Sequence, residues 1–475
     1  MDYFTFIFLL ISLFNFSLSY ELSEERIKKL DEIISSQMKA AKLKTVGFII
    51  TNSIDTIFQK IYGDTEKVNT KTPFILGSVS KSFTALALLK LNIPLNQTLD
   101  KFDLKDYIKD EIAKEITISE LLNHTSGLAS FSPNRVYEKG YFNYSNYGFA
   151  LLGKIIEKKS GKNYNDYMNE TIFKPLEMVN SHTKYNEDIV VSYDNFLGFV
   201  TKYGNLKSEI GDGFYTPAGY ISASIEDMGK YLRHYLDKDP EIQKYIQQIT
   251  RGNIDIEYNI QYGMGMCITK KINRTTVWHN GATASFLSYL YIYPELDIGF
   301  FIITNTRDTL CQNPTNQFFD NIEEYLVSDF YSPVDIQQFL FVHFTYDLTY
   351  LIIIAIPSVY LIITIIRKIK VKKYSWFDGT KGIIIFCIDL TILVIMPIVS
   401  IIVLYTLDAD IREIIVLLKD LPFVIFLFSS ILFLTFIIKA VYIILYKKYL
   451  FKYDEGNIKK LSEMDLNILD DDEGK

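Results

Sequence analysis

Cysteine is scarce: the 475 residues hold three, Cys267, Cys311 and Cys387. That count excludes a disulfide framework. Cys387 lies in an apolar run suited to lipid, so only a Cys267–Cys311 bridge stays open, and sequence cannot give their separation. No CxxC or HExxH pattern occurs, so neither a metal nor a cofactor is expected. Positive charge is not in excess. There are 49 Lys and Arg against 56 Asp and Glu, a net charge of −7, which excludes a nucleic-acid footprint and a nucleic-acid partner. Internal repeats are absent, which excludes a solenoid.

What is abundant is apolar sequence, 49% of residues, with a mean hydropathy of +0.11. It is concentrated at the two ends. Tyr3 to Leu18 is almost wholly apolar and ends in the small residues Ser17-Leu18-Ser19, which reads as a signal peptide over 1–19. Its n-region holds Asp2 and no Lys or Arg, so an uncleaved anchor is the alternative. Three later runs, 348–366, 382–407 and 421–446, are each long enough to cross ~30 Å of hydrocarbon as a helix. Arg367, Lys368, Lys370, Lys372 and Lys373 separate the first two, and the positive-inside rule puts that loop in the cytoplasm. The tail 447–475 then also falls inside, and residues 20 to about 347, which include a domain over 20–330, fall outside, in agreement with a signal peptide. The expectation is a multi-pass membrane protein with an extracytoplasmic domain. Asp389 and Lys439 each lie about two helical turns from the cytoplasmic boundary of their runs, where a structural ion pair is favoured over a relay.

Within 20–330 the patterns predict a helix over Ser23–Ala41, a hairpin of Thr45–Thr51 and Thr56–Tyr62, and a helix from Ser78 to Leu91. Ile116–Leu122, Asn146–Lys159 and Glu226–Leu236 read as helices, and Asp188–Thr216 as irregular. Four β-rich runs come next, Ile256–Thr269, Thr275–His279, Leu287–Tyr293 and Asp297–Thr304, before a closing helix over Asn316–Val327. This order predicts an α+β domain whose antiparallel sheet takes strands from both ends of the segment, with a helical region inserted between them.

Gly77-Ser78-Val79-Ser80-Lys81 places a hydroxyl and an amine three residues apart, on one face of a helix. The serine sits at the helix start, where free N–H groups favour developing negative charge. A lysine held in a dry pocket loses proton affinity and can help take the hydroxyl proton. The spacing alone is cheap. It recurs at Ser36/Lys39 and Ser181/Lys184, and the plain reading of Ser78 is a helix cap.

The residues around it narrow the choice. Phe74 to Ala85, FILGSVSKSFTA, resembles the active-site motif of the superfamily that holds class C β-lactamases, D-alanyl-D-alanine carboxypeptidases and related serine esterases. Further resemblances occur in order: Ile116 to Leu128 (ITISELLNHTSGL), Tyr144-Ser145-Asn146 as the YxN motif, Ile172 to Met178 (IFKPLEM), and Pro217 to Met228 (PAGYISASIEDM). Tyr262-Gly263-Met264-Gly265 and His279-Asn280-Gly281 complete the set, the last where relatives carry KTG or HxG. Other YxN tripeptides occur, but only Tyr144 runs on into the family's helix. The resemblance covers about Leu22 to Val327 and implies a β-lactamase/transpeptidase-like fold.

It also implies roles. Ser78 is the expected nucleophile. Tyr144 and Lys81 share the proton transfers, with the general base left open; a phenolate would need positive charge nearby, from Lys81 and His279. Asn146 is expected to hold Lys81 and a substrate amide. The backbone N–H groups of Ser78 and Ala282 form the oxyanion hole. Gly281 lets the strand backbone approach the substrate, and His279 stands as a weak clamp where a β-lactamase has a lysine. The expected activity is therefore that of a serine acyl hydrolase, a peptidase or esterase acting on a small-molecule or peptide acyl substrate. A true β-lactamase, or a sensor or scaffold with little turnover, is the alternative. Sequons at Asn96, Asn123, Asn143, Asn169 and Asn273 bear on glycosylation only in a eukaryotic source. Nothing in the sequence indicates an oligomeric state.

Overall fold

A computed structural model describes residues 22–370 apart from 197, 198, 205, 272, 273, 308–311, 329 and 335, and, beyond 370, residues 424–435, 437, 438 and 441. The chain divides into two compact units, Met1–His343 and Phe344–Lys475.

The first unit is built on an eight-stranded antiparallel sheet. Its strands are β1 (Thr45–Thr51), β2 (Thr56–Gly63), β3 (Ile254–Glu257), β4 (Ile260–Tyr262), β5 (Cys267–Lys271), β6 (Arg274–Ala282), β7 (Leu287–Tyr293) and β8 (Ile298–Thr304). The spatial order is β2-β1-β8-β7-β6-β5-β4-β3, so the N-terminal hairpin joins the C-terminal strands through β1 against β8, with Val46 opposite Thr304. Strands thus come from both ends of the segment, as the element order predicts.

Every residue of β1, β7 and β8 is buried, because both faces of the sheet are covered. Successive side chains alternate between faces. Val46, Phe48 and Ile50 point into one core with α1 (Glu24–Ala40) and, near the end of the unit, Phe318 and Ile322 of the helix Gln312–Ser328. Ile49 and Ile303 point into the other core, which takes in the inserted helical region. Burying each of these large side chains contributes about 1.5–3 kcal/mol. Ser23 caps α1, its Oγ accepting from the Arg26 N–H.

The insert contributes α2 (Ser80–Leu89), α3 (Ile118–Leu122), α4 (Asn146–Ser160) and α5 (Ile225–Leu236). α3 begins with a capping box: Thr117 Oγ1 accepts from the Glu120 N–H, and the Glu120 carboxylate accepts from the Thr117 N–H. α5 lies against the sheet, and Gly47 makes room for it. A Cβ there would come within 2.7 Å of Ile225.

Two readings from pattern are corrected. The run Ile256–Thr269 is three strands, not one, because Asn259 (φ +63°) and Gly265 (φ +81°) reverse the chain twice. The segment 188–216 contains a short hairpin, Tyr193–Phe196 with Phe199–Lys202, and a helical turn at Leu206–Ile210.

In the second unit, residues 344–370 continue the helix Ile336–Lys370, and residues 424–435 are helical. Among the described residues no helix is long and apolar enough to cross a membrane. The first expected span, 348–366, falls on the helix Ile336–Lys370. The second, 382–407, lies outside the described residues, and the third, 421–446, is described only in part. The signal-peptide segment 1–19, Asp389, Lys439 and the tail 447–475 also lie outside them.

Candidate active site

Ser78 does not open the long helix predicted from 78 to 91. It sits in a single 3-10 turn, Gly77–Val79, from which α2 starts at Ser80. The turn is held by backbone. Gly77 adopts φ +58°, and a Cβ on it would come 2.4 Å from the Ala282 nitrogen of β6. Reciprocally, a Cβ on Gly281 would come 1.9 Å from the Leu76 carbonyl oxygen, which also accepts from Ser288 Oγ at 2.7 Å. The close approach that Gly281 permits within the chain is to the nucleophile turn. It brings the Ala282 N–H beside the Ser78 turn, the pair expected to hold an oxyanion.

Lys81 lies one turn on and is fully buried. Its Nζ stands 3.0 Å from Ser78 Oγ, 2.7 Å from Asn146 Oδ1 and 2.7 Å from the Ala218 carbonyl. Burial holds its pKa well below the usual 10.5. A neutral amine fits these three contacts. Two N–H groups donate to Asn146 and Ala218, and the lone pair faces the serine hydroxyl.

Tyr144 stands beside Ser78, whose hydroxyl favours its ionised form, and its ring centroid lies 4.6 Å from Lys81 Nζ. Burial raises its phenol's pKa, and the Ser78 hydroxyl offsets only part of that. The next two residues along the chain fix its place. Ser145 caps α4, its Oγ accepting from the Gly148 N–H at 3.0 Å and donating to the Ala129 carbonyl at 2.8 Å. Asn146 is then the first helical residue. Its Oδ1 faces Lys81, and its Nδ2 donates to Ser130 Oγ at 3.2 Å.

His279 is brought to the site and lines the cleft beside Ser78. It is buried, its Nδ1 lies 2.5 Å from the Asn280 carbonyl, and its Nε2 lies 3.3 Å from Tyr262 Oη. Burial, then the nearby Lys81, lowers its pKa to about 3. It is neutral and supplies no positive charge to Tyr144.

Two further residues belong to this constellation. His124 packs at a tilt against Tyr144 with ring centroids 4.2 Å apart, accepts the Ser145 N–H on Nδ1 at 3.0 Å, and meets Tyr262 Oη through Nε2 at 3.2 Å. Tyr262 thus bridges two histidines. Both lie in motifs visible in the sequence, HTSG and YGMG, but spacing gives no reason to join them. Cys267 carries a free, buried thiol beside the cleft, pushed up to about 12 by burial; Cys311, its one possible partner, lies outside the described residues.

The beta-lactamase family profile matches residues 30–317, well over half of the chain. The chain belongs to this family. It is 25% identical over 352 residues to "Beta-lactamase-like protein 4" of Dictyostelium discoideum, covering 61% of this chain and 62% of the relative. It is 23% identical over 326 residues to "Protein flp" of Staphylococcus aureus (strain NCTC 8325 / PS 47), covering 60% and 64% respectively. The chain thus spans about three fifths of the length of these relatives. Among solved structures, an octameric penicillin-binding protein homologue from Pyrococcus abyssi aligns with a TM-score of 0.54 at 24% identity, over 65% of this chain and 78% of that one. That likeness shows the α+β fold of the family, an antiparallel sheet with helices on its faces.

Proposed function

We propose that this family member is an active serine acyl hydrolase, a peptidase or esterase working through an acyl-enzyme on Ser78. The observation that supports it most is a buried amine 3.0 Å from the Ser78 hydroxyl with the Tyr144 ring 4.6 Å from that amine, groups drawn from separate segments of the chain.

In this reading Ser78 Oγ attacks the substrate carbonyl and its proton passes to the Lys81 lone pair. The carbonyl oxygen, now negative, accepts from the Ser78 and Ala282 N–H groups, each worth roughly 3 kcal/mol at the transition state. As the tetrahedral species collapses, the Tyr144 hydroxyl protonates the leaving alkoxide or amine, and Lys81 returns the proton to Tyr144. Water then repeats the cycle on the acyl-serine. Lys81 is the base here because burial favours its uncharged form, whereas the same burial makes a Tyr144 phenolate costly. Asn146 orients the amine. A neutral His279 argues against the β-lactamase alternative, which relies on a fixed cation at that position.

We further propose that the chain is attached to a membrane by its C-terminal unit, with the hydrolase domain outside the cytoplasm. Support comes from the apolar side chains left exposed on the helix Ile336–Lys370, among them Leu351, Ile356 and Ile362, each more than half exposed. Water would leave this surface uncovered at a cost that lipid removes. The deciding experiment for the catalytic reading is labelling of the full chain with a fluorophosphonate. A covalent adduct that disappears in Ser78→Ala is expected; absence of any adduct on the wild-type chain would overturn it.

A further inference from the structure

The cleft beside Ser78, of about 390 Å3, has no fixed cation among the described residues that line it. Phe142, Ile256, Ile260 and Trp278 give it apolar walls, and Glu257, exposed at its edge, is the only carboxylate or cation among the described residues that line it. The histidine that could have supplied an N–H is committed elsewhere. The Ser145 N–H donates to His124 Nδ1, so the His124 proton is on Nε2, directed at Tyr262 Oη. At the other end His279 Nδ1–H donates to the Asn280 carbonyl, which leaves Nε2 as an acceptor for the Tyr262 hydroxyl. Both ends are pinned by backbone groups, so the chain His124–Tyr262–His279 has one polarity. In it neither ring presents an N–H to the cleft.

We infer that this cleft takes an uncharged, apolar acyl group and rejects substrates carrying a carboxylate near the scissile carbonyl, with Glu257 and the Tyr262-locked histidines setting that preference. The inference rests on the hydrolase reading and specifies its substrate class. A carboxylate entering here would lose water and meet apolar walls, ring nitrogens without protons and a like charge at the rim. An aliphatic or aryl acyl chain would lose only unfavourable contact with water.

The test uses the full chain in detergent and two matched substrates, 4-nitrophenyl butyrate and 4-nitrophenyl hemiglutarate, with the Ser78→Ala rate subtracted as background. Wild type is expected to favour the butyrate by about ten-fold or more in kcat/KM. In Glu257→Gln the preference should narrow several-fold, because the repulsion is removed and the exposed side chain leaves the fold intact. Equal or faster turnover of the hemiglutarate, or no turnover of either ester, on a chain whose Ser78 takes the fluorophosphonate overturns the substrate class and leaves the hydrolase reading standing. An unchanged preference in Glu257→Gln overturns the part assigned to that residue. No turnover and no fluorophosphonate adduct overturns both readings.

Discussion

At the scale of single residues, the chemistry turns on one buried amine. Lys81 has two carbonyl acceptors and one hydroxyl around it and no carboxylate among its hydrogen-bond partners, so burial is free to lower its proton affinity. Replacing it with methionine keeps the length and removes the lone pair; kcat should fall by about 10²–10⁴-fold in an ester assay, with Ser78 still present. The pH dependence has a definite sign. The amine is active when deprotonated, so kcat should rise with pH along an acid limb lying well below the ordinary lysine value of 10.5. His279, lowered to about 3, adds no inflection near 6.5. A pH–rate profile with its limb at 10 or above would contradict a buried neutral base. Ser78, Lys81 and Tyr144, which the structure brings together, were all legible because each stands in a recognisable motif. The Ala218 carbonyl and the Tyr262 bridge were not. A backbone acceptor leaves no mark on its own residue type, and a contact between positions 124, 262 and 279 exists only after the sheet has formed.

At the scale of elements, α4 matters through its first turn. Ser145 Oγ both accepts the Gly148 N–H and donates to a buried carbonyl, and its N–H fixes His124. Ser145→Ala should cost ~1 kcal/mol for the cap, and more because the Ala129 carbonyl loses its partner; a denaturant melt of the domain would show it as a lower midpoint. The ends of the longer helices were readable in advance to within a residue or two, as at Glu24–Ala40 and Asn146–Ser160. The three strands within 254–271 were not. β-rich composition continues through the turns at Asn259 and Gly263–Gly265, and only the reversal of the backbone separates them. The 3-10 turn at Gly77–Val79 was likewise invisible, because the helical pattern of α2 runs back through it.

At the scale of the whole molecule, the order of elements pointed correctly to an antiparallel sheet that takes strands from both ends of the first unit, and the strands buried at every residue are those with both faces covered. The second unit rests on composition. If it holds the chain in a bilayer, the full-length protein should stay with the membrane fraction after an alkaline carbonate wash and be released only by detergent; recovery in the aqueous supernatant would count against that attachment.

The mutual approach of Gly77 and Gly281 has a consequence for how such a protein can change. Two stretches roughly two hundred positions apart are registered to each other by peptide groups, with no side chain between them. The reactive hydroxyl therefore keeps its place whatever residues surround the entrance. Tolerance for new acyl groups can then be gained by substitutions at the rim while reactivity is inherited unchanged.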